Sequence, residues 1–143
     1  MATLDYSVVI PAHNESRVIG ECVVALRRQS VERTSYEVIV VDNGSTTPVA
    51  SIVTKFSNTR YLFESTPGSY AARNKGISSA TGSIIALIDS DCIPIRDWID
   101  RGVHQLLSSG NDCVVGGRVD LIYKNENRPR PIELLEEFVY FKQ

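Results

Sequence analysis

The sequence predicts an α/β fold with a mostly parallel sheet flanked by helices, and three observations carry that prediction. Short runs rich in Val and Ile alternate with longer segments of helical period, the pattern of successive βα units. Within the runs at 37–41 and 83–88, residues 38–41 and 84–88 are continuously apolar, as strands covered on both faces are. Three runs end abruptly in polar residues, at His13-Asn14-Glu15, Asp42-Asn43-Gly44-Ser45 and Asp89-Ser90-Asp91. In open α/β sheets, ligands lie outside the carboxyl ends of the strands.

Taken in order, Tyr6 to Ile10 reads as the first strand, stopping at Pro11. The helix after it carries Ile19, Cys22, Val23 and Leu26 at i, i+3, i+4 and i+7 and ends near Ser30. Glu37 to Val41 is the second strand, with Asp42 at its polar end. Gly44-Ser45-Thr46-Thr47-Pro48 supplies a turn into a short helix over Val49 to Phe56. Tyr61-Leu62-Phe63 is a third strand. Pro67-Gly68-Ser69 then breaks the chain, with Ser69 as the expected N-cap of a helix that Gly82 closes. Ser83 to Ile88 is the most apolar strand and is expected at the centre of the sheet. Ile95 to Ser109 is a helix with Ile99, Val103, Leu106 and Leu107 inward and Gly110 at its end. Val114 to Tyr123 predicts another strand, with Gly116-Gly117 permitting a bulge or close backbone approach. Residues 124–131 read as an exposed loop, and Ile132 to Phe141 resumes a helical pattern with an apolar face.

A chain of 143 residues makes one ordinary domain, and its 43% hydrophobic and 22% charged residues are those of a globular protein. A net charge of −2 supplies no general attraction to nucleic acid or anionic lipid, so an anionic ligand must be held by local groups. No apolar run approaches the roughly 20 residues of a membrane helix, and Met1-Ala2-Thr3-Leu4-Asp5 lacks the basic region of a secretory signal. The expected location is the cytoplasm, in solution or peripheral to the inner face of the membrane. Cys22, Cys92 and Cys113 form neither a disulfide framework nor a zinc pattern and read as buried thiols. His104 falls on a helix, where a surface or capping role is expected.

The strongest chemical signal is Asp89 and Asp91, separated by one small residue at a strand exit, where alternation sends both carboxylates to one side. A hard cation such as Mn²⁺ or Mg²⁺ takes one or two carboxylates together with phosphates and waters, so the pair suits a metal diphosphate. Alone it also suits a capped turn. The other two polar strand ends would converge on the same crevice and strengthen the ligand reading.

In order and spacing, these segments resemble the family 2 glycosyltransferases, which have the three-layer GT-A fold, a Rossmann-like arrangement. The matching stretches are residues 8–15, 38–46, Ala72-Arg73-Asn74-Lys75-Gly76-Ile77 running to Ala80-Thr81-Gly82, and Ile88-Asp89-Ser90-Asp91. The resemblance implies a nucleotide-diphosphate sugar donor, most commonly a UDP-sugar, with Pro11, Ala12, His13, Glu15 and Asp42 lining the base and ribose pocket. Arg73 would face the nucleotide, Asp89 and Ser90 would lie at the ribose and diphosphate, and Asp91, with Asp89, would hold Mn²⁺ or Mg²⁺. Arg73 also suits a surface salt bridge.

Inversion at the sugar carbon, which the resemblance further implies, requires a carboxylate base for the acceptor hydroxyl. No residue matches it; Glu133, Glu136 and Glu137 read as solvated helix charge. The organisation expected is a donor-binding domain over residues 1–123, followed over 124–143 by a loop and helix that begin an acceptor-binding part, with Leu134, Phe138 and Phe141 supporting self-association. The acceptor, the sugar and the base are not encoded in the matching motifs. Two other readings use the same residues: a nucleotide-sugar-binding module without catalysis, and a Mg²⁺-dependent phosphohydrolase of the haloacid dehalogenase type. The latter places its aspartate pair on the first strand, whereas here it follows about the fourth.

Overall fold

The computed structural model describes residues 5–110, 113–131 and 133. Strands β1 (Tyr6–Ala12), β2 (Tyr36–Asp42), β3 (Thr59–Phe63) and β4 (Ile84–Leu87) form an all-parallel sheet in the order β3-β2-β1-β4. Helices α1 (Ile19–Leu26), α2 (Ala50–Val53), α3 (Ser69–Ser79) and α4 (Trp98–Ser109) fill the connections.

Alternation along β1 and β2 divides their side chains between two cores. Val8, Ile10, Val38 and Val40 meet Ile19, Cys22, Val23 and Leu26 of α1, Val49 and Val53 at α2, and Ile99 of α4. Val9, Ile39 and Val41 face the other way, against Ala72 of α3. Three layers result, with helices on both faces of the sheet, and the two inner strands are apolar at their centres, Val8–Ile10 and Val38–Val41, because neither face meets water.

Two glycines permit close approach. A methyl group at Gly76 would come within 2.3 Å of Val9 Cγ1 and 3.2 Å of Val41 Cγ2, so α3 lies directly on β1 and β2. A methyl group at Gly82 would meet backbone, 2.4 Å from the Tyr6 carbonyl carbon and 2.6 Å from Ser7 N. Beside it a buried carboxylate joins the amino ends of the strands. Glu37 Oε1 accepts from Ser7 Oγ (2.8 Å), Thr81 N (2.9 Å) and Thr81 Oγ1 (2.6 Å), and Oε2 accepts from Arg60 (2.7 Å). Burial alone would push this carboxyl up, but hydrogen bonds from Thr81, Arg60 and Ser7 outweigh it and hold the group below its ordinary value.

The structure corrects several boundaries. β1 continues through Pro11 to Ala12. Val9 accepts from Ile88 N on the β4 side, and two residues later Pro11 faces the same way, where β4 has ended, so its missing N–H forfeits no ladder bond. Ser69 is the first residue of α3, and Gly68, at φ 118°, is its N-cap. α4 begins at Trp98. Leu107 lies eight residues after the buried Ile99 and thus about 80° around the helix, and it is exposed. Among the described residues β4 stands at an edge of the sheet rather than at its centre, and Ile85 and Leu87 are exposed because α3 covers β1 and β2 instead. Cys22 is buried, while Cys92 and Cys113 are partly exposed.

The strand expected over Val114 to Tyr123 is not formed in residues 113–123. A run carrying Val, Leu and Ile makes a strand only where a sheet edge takes up its backbone groups, and this segment pairs with none of the described strands. Glu133 is not solvated: it folds back on the 124–130 loop, accepting from Arg130 N (2.6 Å), Arg130 Nη2 (3.0 Å) and Lys124 N (3.3 Å). The Arg130 backbone N–H leads the donors that bring its carboxyl down to about 2. Leu134, Glu136, Glu137, Phe138 and Phe141 lie outside the described residues. Among the described residues no helix is long and apolar enough to cross a membrane.

The Gly82 contact is with backbone, which cannot rotate away. Gly82→Ala should therefore cost about 1–3 kcal/mol in urea unfolding, the range for overpacking. Gly102→Ala in α4, where the added methyl meets nothing within 4 Å, should stabilise by about 0.5–1 kcal/mol. Equal midpoints for the two variants would contradict the packing described.

Candidate functional site

Because all four strands are parallel, their carboxyl ends share one edge. β1 and β2 end in register there, Ala12 opposite Asp42, and Ile88 bonds to Val9 as β4 gives way to Asp89. The three polar strand ends are thereby brought to the same side of the molecule.

The exits of β1 and β2 are joined by a hydrogen-bond network. Asn14 adopts the left-handed conformation (φ 60°), which its short amide tolerates. Its N–H donates to Ser45 Oγ (2.9 Å), and its Oδ1 accepts from Thr46 N and Thr46 Oγ1 (2.9 Å each). Those two donors fix the orientation of the amide, leaving Nδ2 directed at His13 Nε2 (3.0 Å). The other ring nitrogen, Nδ1, faces the Asn43 carbonyl at 2.7 Å and so donates. Nε2 is then the acceptor, and both nitrogens of His13 are engaged between loops.

Asp42 is 1% exposed. One carboxylate oxygen accepts from Ser45 N (3.0 Å), the other from Val49 N (3.3 Å) and the Tyr61 hydroxyl (3.2 Å). Burial alone would raise its carboxyl, but these donors hold it below the ordinary value. Burial and the Asp42 charge push the Tyr61 hydroxyl up in turn. Asp42 therefore acts on the loop that leads to α2, binding the N–H groups of Ser45 and of Val49, the N-cap of α2.

At the third exit β4 ends at Leu87 and the chain turns, Cys92 N donating to the Asp89 carbonyl (3.1 Å), so strand alternation does not extend over Asp89-Ser90-Asp91; Ser90 is buried and Asp89 and Asp91 are exposed. Arg73, on the second turn of α3, meets Asp89 Oδ1 at 2.5 Å. Cys22 of α1 lies beneath, its Sγ 3.7 Å from the Asp89 carbonyl. Burial raises this thiol to about 12, so it stays a protonated packing group. Pro11 and Ala12 are buried in the wall of the edge, and Glu15 is half-buried where the chain turns toward α1. Among the described residues no group of three or more His, Cys, Asp and Glu forms a closed metal cage. A groove of about 820 Å³ runs between α1 and residues 93–96, but its lining includes neither Asp42, Asp89 nor Asp91.

This arrangement has counterparts of known class. The model of the family described as glycosyl transferase family 2 matches residues 7–143. The chain belongs to that family. It is 43% identical over 124 residues to glycosyltransferase AglE of Haloferax volcanii, covering 83% of this chain and 40% of the relative. It is 34% identical over 115 residues to glycosyltransferase GlyG of Streptococcus pneumoniae serotype 4, covering 77% and 38%. The chain thus spans about 40% or less of the length of these relatives. Among solved structures it resembles residues 1–349 of Staphylococcus aureus TarS in complex with UDP-GlcNAc (TM-score 0.65, 27% identity, 73% of this chain, 32% of that one). It also resembles a mannosyltransferase of Pyrobaculum calidifontis in complex with GDP-Man and Mn²⁺ (TM-score 0.67, 28% identity, 74% and 33%). These neighbours have the GT-A fold expected from the sequence, and the family match leaves the phosphohydrolase alternative without support.

Two residues of the glycosyltransferase edge were not singled out from the sequence. Tyr61 reads only as an apolar strand residue until β3 is placed beside β2. Asn43 stands within the recognised Asp-Asn-Gly-Ser run, yet its partners, Glu64, Thr66 and Gly68, lie more than twenty residues away.

Asp42 and Glu37 both titrate below their ordinary values of 3.8 and 4.5, so on acidification the unfolded chain binds protons first. Their stabilisation is complete above about pH 5 and is lost as pH falls through the lower, folded-state values. Thermal midpoints between pH 7 and pH 2 should fall along that branch, and Asp42→Asn should flatten it. An Asp42→Asn profile parallel to the parent throughout would detach Asp42 from the acid transition.

Proposed function

We propose that this chain binds a nucleoside-diphosphate sugar, a UDP-sugar first among candidates, at the shared carboxyl edge of β1, β2 and β4. There it would serve transfer of the sugar to an acceptor hydroxyl with metal assistance and inversion. The observation that carries the reading is the placement of Asp89 and Asp91, both exposed, on the edge where the β1 and β2 exits also stand, with the Arg73 guanidinium already at Asp89.

The donor set fits a divalent cation that draws most of its ligands from a diphosphate and water. It offers two exposed carboxylates one residue apart and no closed cage among the described residues. Asp91 is assigned as the direct ligand and Asp89 as the second, shared with Arg73. When bound, Mn²⁺ or Mg²⁺ would neutralise the charge that grows on the departing nucleoside diphosphate. Arg73 adds a guanidinium beside the same oxygens, and its fork suits a phosphate or a base carbonyl. Glu15 and His13 border the opening from the β1 side. Asp42, with its carboxylate saturated, shapes the nucleotide pocket through residues 45–49. A base for the acceptor hydroxyl is assigned to none of the described residues. The TarS and mannosyltransferase complexes, one with UDP-GlcNAc and one with GDP-Man, support the donor class without choosing the base.

Thermal unfolding of the chain with Mn²⁺ and a panel of UDP- and GDP-sugars should show a metal-dependent rise for one nucleotide. At hundredfold saturation the gain is about 2.7 kcal/mol. Asp91→Ala should abolish it. Retention of the full metal-dependent shift by Asp91→Ala would remove the metal assignment. Binding without turnover would restrict this chain to the donor-binding role.

A further inference from the structure

We infer that Asn43 is a positioning residue for this edge: its amide clamps the 64–68 loop to the end of β2, and through that loop it sets where α3 presents Arg73 to Asp89. The inference rests on the donor-site reading above for its functional consequence, though the clamp itself is seen in the structure.

Asn43 is buried and uses its whole amide. Nδ2 donates one hydrogen to the Thr66 carbonyl (2.7 Å) and the other to the Glu64 carbonyl (3.1 Å), and Oδ1 accepts from Gly68 N (2.8 Å). Reversing the amide would turn its oxygen onto two carbonyls, so the orientation is determined. Two donors and an acceptor at this reach are what a primary amide supplies; a carboxylate has no donor, and a hydroxyl has only one. The main chain of the same residue bonds to the β1 exit, with its N–H on the Ala12 carbonyl (2.8 Å) and its carbonyl receiving His13 Nδ1 (2.7 Å). One residue thus holds together the β1 exit, the β2 exit and the entry to α3.

The consequence for Arg73 is geometric. Gly68 is the N-cap of α3, and the N–H groups of Ala71 and Ala72 bond to its carbonyl. The helix is therefore located at two points, at its start by the Asn43–Gly68 bond and in its body by Gly76 wedged on Val9 and Val41. Arg73 lies between them. Releasing the first point lets the helix end pivot on the second, which moves the guanidinium relative to Asp89. Lys75 to Glu64 is a longer ion pair (3.5 Å) across the same loop, with the lysine more exposed than the partly buried glutamate.

The test compares Asn43→Asp, near-isosteric but lacking both donors, with Asn43→Ser, which avoids placing a charge against two carbonyls. Thr81→Ala serves as a control that weakens the Glu37 cluster at the other end of the sheet. UDP binding in the presence of Mn²⁺ is measured by calorimetry, amide hydrogen exchange over residues 64–76, and stability by urea. Both Asn43 variants should bind UDP roughly ten- to hundredfold more weakly, as when a group supporting a ligand-binding side chain is lost. They should also exchange faster at Gly68 to Arg73, with β1 and β2 still protected, while Thr81→Ala keeps the parent affinity. Parent-like affinity in both Asn43 variants, or an equal loss in Thr81→Ala, would overturn the inference. Should the parent bind no UDP, the UDP assignment fails on its own. Exchange then judges the clamp, and unchanged protection of Gly68 to Arg73 overturns it.

Discussion

The side-by-side parallel pairing of β1 and β2, buried on both faces, is the constraint on which the rest of the molecule depends. It runs in register from Tyr6 opposite Tyr36 to Ala12 opposite Asp42. A slip of one residue would turn Val8, Ile10, Val38 and Val40 away from α1 and toward α3, so both cores fix the same register. That register brings the Asn14 turn opposite Ser45 and Thr46 and places the Asn43 N–H on Ala12.

The two ends of the sheet are built differently. At the amino end Glu37 is enclosed by Ser7, Arg60 and Thr81, which all donate to its carboxylate, while Gly82 N donates in turn to Ser7 Oγ. At the carboxyl end only Asp42 is treated in this way, while Asp89 and Asp91 are turned outward. Outward carboxylates are costly to pack and easy to ligate. Their placement on a framework tied by Asp42, Asn43 and Asn14 gives flexible charged side chains a rigid base. On the donor-site reading proposed above, that combination would let a diphosphate be met by groups whose separation does not drift.

Much of this was legible in residues alone. Val-rich runs and their polar ends located β1, β2 and β4, and Asp89-Ser90-Asp91 stood out as a pair of carboxylates at a strand exit. Legibility failed where an element's fate depends on a neighbour distant in sequence. Residues 114–123 carry the Val, Leu and Ile of a strand, but no described strand takes up their backbone groups. Residues 83–88 are apolar enough for a central strand, yet β4 stands at an edge among the described residues. Glu133 looks like surface charge until the 124–130 loop folds its N–H groups onto it.

By itself the sequence determined the class of fold, the parallel order of βα units, the family, and which side chains offer carboxylates and a guanidinium at strand exits. These follow from period and from local chemistry, which act over a few residues. Tertiary structure alone decided that Asp42 faces inward against Tyr61 while Asp89 faces Arg73, that His13 is spent between two loops, and that Asn43 ties the start of α3 to β2. Each of these is a contact between segments 16 or more residues apart. Short-range pattern carries no information about them, because closing such loops is governed by how the whole chain packs.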